Sequence, residues 1–288
     1  VTHSEHGPTE PIGLSPSGVH AVEECPTKWF LERQVQATSD TESYFVFGNV
    51  IHALAEGLQQ GDIPLDEDVI QRKLDRIWPA MGYEAPCETE SNRNEAQVIA
   101  NRLLRWFIEQ GDAECIAESA LELKTTLTAQ LPDGTSRQIA VRINGRADRI
   151  QFDVDGVVVY DFKTGKQRKT KAELLTDVQL ALYTYLMRNG KFESIVGQEQ
   201  LIEDFPVKGA ALIQLRHAQT GNADLPLIQY ADALSHDEHS EIPLEQRLTN
   251  TALIMLDERY DTRFEEQRCG RCPMRTLCPE VPEGRSML

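Results

Sequence analysis

The chain has 288 residues, and its 46 Asp and Glu outnumber its 29 Lys and Arg, so the formal net charge is −17 at pH 7. A chain of this length fits one large domain or two modest ones. The acidic balance argues against broad nonspecific attachment to polyanions or to an anionic membrane, so any such site must be local. The sequence contains no transmembrane span and no signal peptide, which predicts a soluble cytoplasmic protein.

The first 13 residues are polar, contain Pro and Gly, and show no periodicity. They predict a disordered leader over residues 1–13. The chain begins with Val rather than Met, so we expect it to be a fragment of a longer polypeptide.

Helical patterns fill residues 14–115, which we expect to form an N-terminal helical region packed on a core. Ser15 or Ser17 is expected to cap the first helix. Cys25 and Pro26 interrupt that helix. Because Pro disfavours the helical conformation of the residue before it, Cys25 is expected at a break between two helical pieces. A buried structural cysteine is the commoner explanation for such a residue.

The stretch FGNVIHALAEGLQQG predicts a compact amphipathic helix that stops at Gly61. His52 lies at the edge of its apolar stripe. A histidine at such a position is more often a satisfied boundary residue than a ligand, so spacing alone leaves its role open. Two further helices are expected near 67–78 and 92–110, where spaced apolar residues predict packing faces.

Strand patterns follow and open the predicted core, residues 116–260. Three consecutive strands are expected, with turns at Pro132-Asp133-Gly134 and Asp155-Gly156. A change in the parity of the apolar residues predicts a bulge or bend near Asn144-Gly145. Glu122, on the first of these strands, is either an extra carboxylate of a site or, as is commoner, a solvent-facing side chain.

The second and third strands meet in residues 145–166, which read GRADRIQFDVDGVVVYDFKTGK. If the DVDG segment forms a short hairpin loop, Asp148 lies opposite Asp161 with Lys163 one diagonal step away. Like charges across a strand pair repel unless a cation or a hydrogen-bond network compensates them, and a divalent metal is the simplest compensation. The alternative is a solvated hairpin face. It fits less well because VVVY is apolar on both faces, as in a covered central strand.

A basic run follows the third strand directly. Five cationic side chains lie within nine residues that contain no acid: Lys163, Lys166, Arg168, Lys169 and Lys171. By itself such a run is as often a solvated loop as a phosphate-contacting patch. Beside paired carboxylates the phosphate interpretation gains weight, so the last four of these residues are candidates for binding DNA.

The stretch AELLTDVQLALYTYLMRNG predicts one strong helix that ends at Gly190 and places Gln179 and Tyr183 on one face. An apolar run at 209–216 completes a mixed α/β pattern with a central sheet flanked by helices. Residues 218–243 are polar and predict no element, and LEQRLTNTALIMLDERYD predicts a last helix. The chain lacks the phosphate-binding G-x-x-x-x-G-K-[ST] and the hydrolase G-x-S-x-G motifs, which argues against ATP hydrolysis and serine-hydrolase chemistry.

The tail, residues 261–288, is organised by three cysteines within ten residues: Cys269, Cys272 and Cys278. Their spacing indicates a metal, and Cys25, which is also followed by Pro, is the best candidate for a fourth ligand. Spacing does not separate zinc, the commoner structural metal, from an iron–sulfur cluster. The remaining Cys87 and Cys115 are expected to be free thiols.

In order, these motifs resemble the PD-(D/E)XK nuclease superfamily, and specifically its RecB-like branch. The resemblance runs from about residue 14 to 285. It rests on five separated motifs: His52, the Gly-Arg-Ala-Asp148-Arg segment, the Asp161-Phe-Lys163 segment, the pair Gln179 and Tyr183, and the tail cysteines with Cys25. The segments LSPSG, ECPTKWFL and CPMRTLCP look most like the C-terminal nuclease domain of an AdnAB-type or AddB-type helicase–nuclease subunit. Ala147 departs from the pattern, because the Pro that gives the superfamily its name often stands there.

The resemblance implies a restriction-endonuclease-like core that binds Mg²⁺ or Mn²⁺. The implied metal ligands are His52, Asp148, Asp161 and the backbone carbonyl of Phe162. Lys163 is implied to polarise the attacking water, and Gln179 and Tyr183 to brace that lysine or to contact the DNA backbone. The resemblance also favours a [4Fe-4S] cluster over zinc at the four cysteines Cys25, Cys269, Cys272 and Cys278.

The function implied by the resemblance is a metal-dependent DNA exonuclease domain. It would cleave single strands delivered by helicase motor domains during the processing of double-strand breaks. Two alternatives are a free-standing RecB-like exonuclease and a noncatalytic, nuclease-like scaffold. The acidic surface is compatible with the first function, since motor domains or a partner chain would supply the basic DNA channel.

Overall fold

The computed structural model describes residues 10–33, 42–81, 86–193, 199–200, 206–233 and 240–281. The helices are α1 (Pro16–Glu24), α2 (Pro26–Arg33), α3 (Glu42–Gln60), α4 (Glu67–Ile77), α5 (Pro86–Gln110), α6 (Lys171–Leu175), α7 (Val178–Asn189), α8 (Leu244–Leu256) and α9 (Glu266–Cys269). The strands are β1 (Ile12–Leu14), β2 (Cys115–Gln130), β3 (Ser136–Asp153), β4 (Gly156–Lys163), β5 (Lys191–Glu193), β6 (Glu199–Gln200), β7 (Val207–Gln219) and β8 (Asn222–Asp232). Within the described ranges, every helix is too short or too polar to cross a membrane.

The chain divides into two compact units, each assembled from separate stretches. The first comprises residues 1–40, 122–145 and 240–288, and the second comprises 41–121 and 146–239. The division into a leader, a helical region, a core and a tail remains a prediction.

The first unit contains the start of the described chain. Of the predicted leader, residues 1–9 lie outside the described ranges, whereas Ile12 is already in β1, which pairs in parallel with residues 141–143 of β3. Leu14 is fully buried, and α8 packs against both β1 and α1. The chain is therefore ordered before the predicted end of the leader, because a three-residue strand is too short to leave a sequence pattern.

The break at Cys25 is confirmed. Ser15 caps α1, since its Oγ accepts a hydrogen bond from the backbone N–H of Gly18 at 3.1 Å. Cys25 has an extended backbone and forms the C-cap of α1, and α2 begins at Pro26. The side chain of Cys25 is buried at this break.

The strands form one mixed sheet with the order β6-β5-β2-β3-β4-β7-β8, and β1 pairs with β3 outside this order. β3 and β4 are antiparallel, β4 and β7 are parallel, and β7 and β8 are antiparallel. β4 therefore lies inside the sheet, and its Val157 and Val159 are fully buried. This confirms the mixed α/β fold and the covered central strand.

Helices cover both faces of β4. Phe162 packs into an apolar cluster with α3, α4 and α5, whose members include Ile51 and Trp106. Asp161, which points to the opposite face because side chains alternate along a strand, meets α7. The sheet thus presents a polar residue on one side of a strand whose other side is core.

Two sequence expectations are wrong in detail. The predicted single helix over 172–190 is two helices, because Asp177 caps α7 by accepting the N–H of Leu180 at 3.0 Å. The segment 218–243, which predicts no element, contains β8. β8 is an edge strand of the sheet, and most of its side chains are exposed or half-buried, so it lacks the apolar pattern of a covered strand.

Candidate active site and cysteine site

The β3–β4 hairpin sets the register of the candidate active site. Arg149 pairs with Tyr160, and the ladder continues to Asp153 opposite Gly156 across a two-residue turn. Gly156 has φ +136, and a Cβ there would approach the carbonyl oxygen of Pro206 to 2.0 Å, so the turn needs glycine. Extended by one residue, this register would place Asp148 opposite Asp161, which agrees with the sequence prediction.

Asp161 is buried and surrounded by donors. Its Oδ1 accepts hydrogen bonds from Gln179 Nε2 at 2.7 Å and from the Tyr183 hydroxyl at 3.0 Å. Its Oδ2 lies 2.7 Å from Lys163 Nζ. Burial raises the pKa of Asp161, and the charge of Lys163 opposes that rise. The carboxylate is thus held in one orientation from both sides.

Lys163 completes this arrangement. Its Nζ donates a hydrogen bond to Gln179 Oε1 at 2.9 Å. Burial is the largest influence and lowers the pKa of Lys163, but the charge and hydrogen bond of Asp161, together with the charges of Asp148 and Asp177, outweigh it, and the pKa ends above its usual value. Lys163 is therefore an ammonium at neutral pH, suited to donating hydrogen bonds and offsetting negative charge.

α7 supplies the two side chains that brace this pair. Gln179 and Tyr183 lie one turn apart, and Gln179 Nε2 also lies 3.0 Å from the Tyr183 hydroxyl. Burial raises the pKa of Tyr183 well above its usual value, so the phenol keeps its proton. The hydroxyl also lies 2.8 Å from the Arg146 carbonyl oxygen. The predicted bracing of Lys163 is present as a direct contact with Gln179.

Asp148 is buried beside this group and bonded on both oxygens. Its Oδ2 accepts the backbone N–H of Phe162 at 2.6 Å, and its Oδ1 lies 3.2 Å from His52 Nδ1. Gln59, two turns beyond His52 on α3, donates a hydrogen bond from Nε2 to the backbone carbonyl of Asp148 at 3.1 Å. The hydrogen bond to Asp148 raises the pKa of His52, and burial opposes that rise. α3 therefore delivers His52 to the hairpin.

Glu118 is a member of the site that the sequence did not reveal. Ligand atoms of His52, Glu118 and Asp148 lie within 4.8 Å of one another. The Glu118 backbone has φ +49, and its Oε2 accepts from Arg146 Nε at 2.5 Å. Burial raises the pKa of Glu118. An imidazole nitrogen and two carboxylates form a donor set that suits Mg²⁺ or Mn²⁺.

Strict alternation explains why the sequence missed Glu118. Alternation puts it on the same face as Glu122, whose side chain is 46% exposed and lies 3.3 Å from Lys124. Positive φ at Glu118 turns its side chain out of that pattern, and only 12% of the side chain is exposed. The solvent-facing interpretation of Glu122 is confirmed. β2 has a left-handed residue at Glu118, which the sequence did not predict. β3 is one strand from Ser136 to Asp153, and the bulge near Asn144-Gly145 stays a prediction.

The basic run lies in the segment between β4 and α6. Lys166, Arg168 and Lys171 are exposed, whereas Lys169 Nζ lies 2.7 Å from the buried Asp177 carboxylate. The four residues are therefore not equivalent.

The four predicted cysteine ligands all belong to the first unit and line one cavity of about 420 Å³, together with Lys28. Burial raises the pKa of the Cys272 thiol, with smaller contributions from Cys25 and Cys269. Among the described residues, no three cysteine sulfurs lie within 4.8 Å of one another. Cys115 is a free thiol, and the side chain of Cys87 lies outside the described residues.

Comparison with known proteins identifies the family. Residues 13–279 match the model of the PD-(D/E)XK nuclease superfamily. The chain belongs to this superfamily, and membership indicates a metal-dependent nuclease that acts on DNA. No curated protein matches the sequence. A solved structure titled "Crystal structure of SSO0001" is 13% identical, covering 96% of this chain and 89% of that chain with a TM-score of 0.38.

Proposed function

We propose that this protein is a divalent-metal-dependent deoxyribonuclease that hydrolyses phosphodiester bonds at the β3–β4 hairpin. One observation carries the proposal: Lys163 Nζ lies 2.7 Å from Asp161 Oδ2, opposite a strand whose Asp148 shares a group of possible metal ligands with His52 and Glu118. Phosphodiester hydrolysis needs a hard cation on oxygen ligands, a positioned water and nearby positive charge. These residues supply oxygen ligands for the cation and a nearby positive charge, and Lys163 would position the water.

The metal would be held by His52, Glu118 and Asp148, with Asp161 and the Phe162 carbonyl as further proposed ligands. A bound Mg²⁺ or Mn²⁺ would act as a Lewis acid on the phosphate and lower the pKa of a bound water. The fit rests on the chemistry of the donors, since one imidazole and several carboxylate oxygens suit a hard divalent ion.

Lys163 positions the attacking water and offsets the negative charge that develops on the phosphate. Its ammonium donates a hydrogen bond to Gln179 and lies beside the Asp161 carboxylate, which suits a cation that donates hydrogen bonds to the water and the phosphate. Gln179 holds the ammonium through Oε1, and Tyr183 holds Asp161 through its hydroxyl. Gln179 and Tyr183 therefore fix the positions of Lys163 and Asp161.

The substrate is proposed to be single-stranded DNA cut in exonuclease fashion, as part of a helicase–nuclease that processes double-strand breaks. The segments around Cys25 and the tail cysteines support this assignment through their resemblance to AdnAB-type and AddB-type nuclease domains. The acidic net charge of −17 also suits a domain that receives its strand from motor domains or a partner chain. A reading frame that encodes this domain alone, without motor motifs, would favour a free-standing exonuclease.

The cysteine cavity is proposed to hold a [4Fe-4S] cluster on Cys25, Cys269, Cys272 and Cys278. The support is that all four cysteines line one cavity of about 420 Å³ and that the surrounding sequence resembles the iron–sulfur branch of the superfamily. A brown protein containing iron and sulfide in equal amounts is expected from anaerobic purification. A colourless protein with stoichiometric zinc would contradict the proposal.

The nuclease is tested with end-labelled single-stranded DNA and Mg²⁺ or Mn²⁺. We expect cleavage by the wild type that EDTA stops and that Asp161→Ala removes. Asp155→Ala is the matched control, because Asp155 lies in the turn of the same hairpin with its side chain 77% exposed. Wild-type activity no greater than that of Asp161→Ala would leave the noncatalytic scaffold as the better account.

A further inference from the structure

The segment between β4 and α6 is held in place by side chains of β7 and β8, which contact its main-chain carbonyl oxygens. Arg216 Nε donates to the Thr164 carbonyl at 2.9 Å, and His217 Nε2 lies 3.0 Å from the Lys166 carbonyl. Gln229 Nε2 donates to the Lys169 carbonyl at 2.6 Å. Side chains of β7 and β8 therefore fix the path of the basic run at three points.

Lys169 is held through its side chain as well. Its Nζ lies 2.7 Å from Asp177 Oδ2, and the Asp177 side chain is only 6% exposed. A buried carboxylate needs a partner charge or hydrogen bonds, and here the lysine supplies the charge. Gln229, which fixes the Lys169 carbonyl, is itself held by Gln214 Nε2 at 2.8 Å. Both ends of Lys169 thus face protein groups.

Asp177 connects this lysine to the candidate active site. Its other oxygen, Oδ1, accepts the N–H of Leu180 at 3.0 Å and caps α7. The first turn of α7 carries Gln179, which contacts both Asp161 and Lys163. A continuous set of contacts therefore runs from Lys169 through Asp177 and the start of α7 to the reacting pair.

Arg168 has the opposite environment. It is exposed, and it makes no hydrogen bond or ion pair within the described part of the chain. Two adjacent cations of this segment therefore differ, since Lys169 faces the buried Asp177 carboxylate and Arg168 faces solvent.

We propose that Lys169 is a positioning residue for the nuclease reaction, setting α7 and through it Gln179, while Arg168 is a phosphate contact. This proposal rests on the proposed function and refines the basic run, which the sequence treated as one DNA-binding surface. It predicts that neighbouring cations have separable effects. Loss of the Lys169 charge displaces Gln179, which holds Lys163. Loss of the Arg168 charge removes one cation from the path of the DNA.

The experiment compares Lys169→Met, Lys169→Arg and Arg168→Met. For Lys169→Met we expect kcat to fall on the order of 10- to 100-fold, because small misplacements of catalytic groups are costly. The salt dependence of binding to single-stranded DNA, measured with EDTA present, should be unchanged. Lys169→Arg should restore most of kcat by keeping the charge beside Asp177. Arg168→Met should raise KM and reduce the salt slope by about 0.7, with kcat retained.

Hydrogen exchange separates this proposal from the nuclease assignment. Amides in the first turn of α7, including Leu180, should exchange faster in Lys169→Met than in Arg168→Met, whether or not the wild type cuts DNA. Equal exchange in the two variants would overturn the positioning role. A reduced salt slope with unchanged kcat in Lys169→Met would also overturn it, by making Lys169 a DNA contact. If Lys169→Met lowered the unfolding temperature but left kcat unchanged, the ion pair between Lys169 and Asp177 would contribute to stability alone, which would also overturn the positioning role.

Discussion

The two candidate metal sites gather their ligands in different ways. At the hairpin, register and helical spacing place His52, Asp148 and Asp161, and protein hydrogen bonds of 2.6–3.2 Å hold the carboxylates before any ion arrives. At the cysteine cavity, the sulfurs come from a helix break and short tail turns and remain spread around about 420 Å³. The first site is organised by the fold, whereas the second needs a bound group to close it.

This difference predicts different consequences of losing the bound group. A site whose side chains already bond to each other keeps its structure when the ion leaves, so only chemistry is lost. A set of cysteines around a cavity has no such internal bonds, and the free energy of binding the group becomes part of the free energy of folding. Substitutions at the hairpin should therefore lower activity, and substitutions of the cysteines should lower stability.

The largest expected effect is on activity at the hairpin. Lys163→Met should lower kcat by on the order of 10³-fold, because it removes the cation that offsets charge on the phosphate. Lys124→Met is the matched control, since Lys124 is an exposed cation on β2 paired with Glu122. Single-turnover cleavage of labelled DNA measures the difference. Comparable losses in both variants would mean that Lys163 has no special role.

The next effect is on stability at the cysteine cavity. Cys272→Ser should lower the free energy of unfolding by about 3 kcal/mol or more, or roughly 6–12 °C in unfolding temperature, because it removes a ligand. Cys115→Ser, outside the cavity, is the control. Calorimetry with EDTA added to the wild type should show no comparable loss from removing Mg²⁺. If Cys272→Ser and Cys115→Ser both left the unfolding temperature unchanged, the proposed dependence of stability on the cysteine cavity would be wrong.

A smaller effect is expected on metal affinity at Glu118. Glu118→Gln should weaken Mn²⁺ binding roughly 10- to 100-fold, since it replaces a carboxylate of the proposed ligand group with a neutral amide. Glu122→Gln, on the same strand but facing solvent, should bind Mn²⁺ as the wild type does. Isothermal titration calorimetry measures both. If the two variants bind alike, Glu118 is not a ligand.

The smallest effect concerns pH and the start of α6. Glu173 accepts the N–H of Thr170 at 2.7 Å, and this hydrogen bond lowers the pKa of Glu173. A lowered folded-state pKa means that the stabilisation is present above the unfolded pKa and is lost as pH falls through the folded value. Wild type and Glu173→Gln should therefore differ slightly in unfolding temperature at pH 7 and converge in acid. A difference that widens in acid would have the wrong sign.

Local signals predicted the hairpin and the helix that carries His52. Asp-Gly between apolar runs sets the turn, and alternation then places Asp148 opposite Asp161 without any tertiary information. The break before α7 also has a local cause, because Asp177 is a good N-cap, but the strong apolar pattern on either side concealed it. Pattern strength is thus a poor guide to where a helix divides.

Other members of the site depended on contacts that a sequence does not display. Glu118 enters through a backbone conformation that alternation does not allow for. Lys169 belongs to a run of similar cations and differs from Arg168 only because Asp177 is buried beside it. β8 has a polar sequence because most of its side chains are exposed or half-buried. In each case tertiary surroundings assigned the role.

The left-handed backbone at Glu118 places stability and metal binding in opposition at one position. A non-glycine residue at φ +49 costs on the order of 1–2 kcal/mol, which glycine would not incur. Directed evolution for heat resistance would therefore favour glycine at position 118 and remove a carboxylate from the proposed metal group. Variants recovered from such a selection should have a higher unfolding temperature and a lower affinity for the divalent ion.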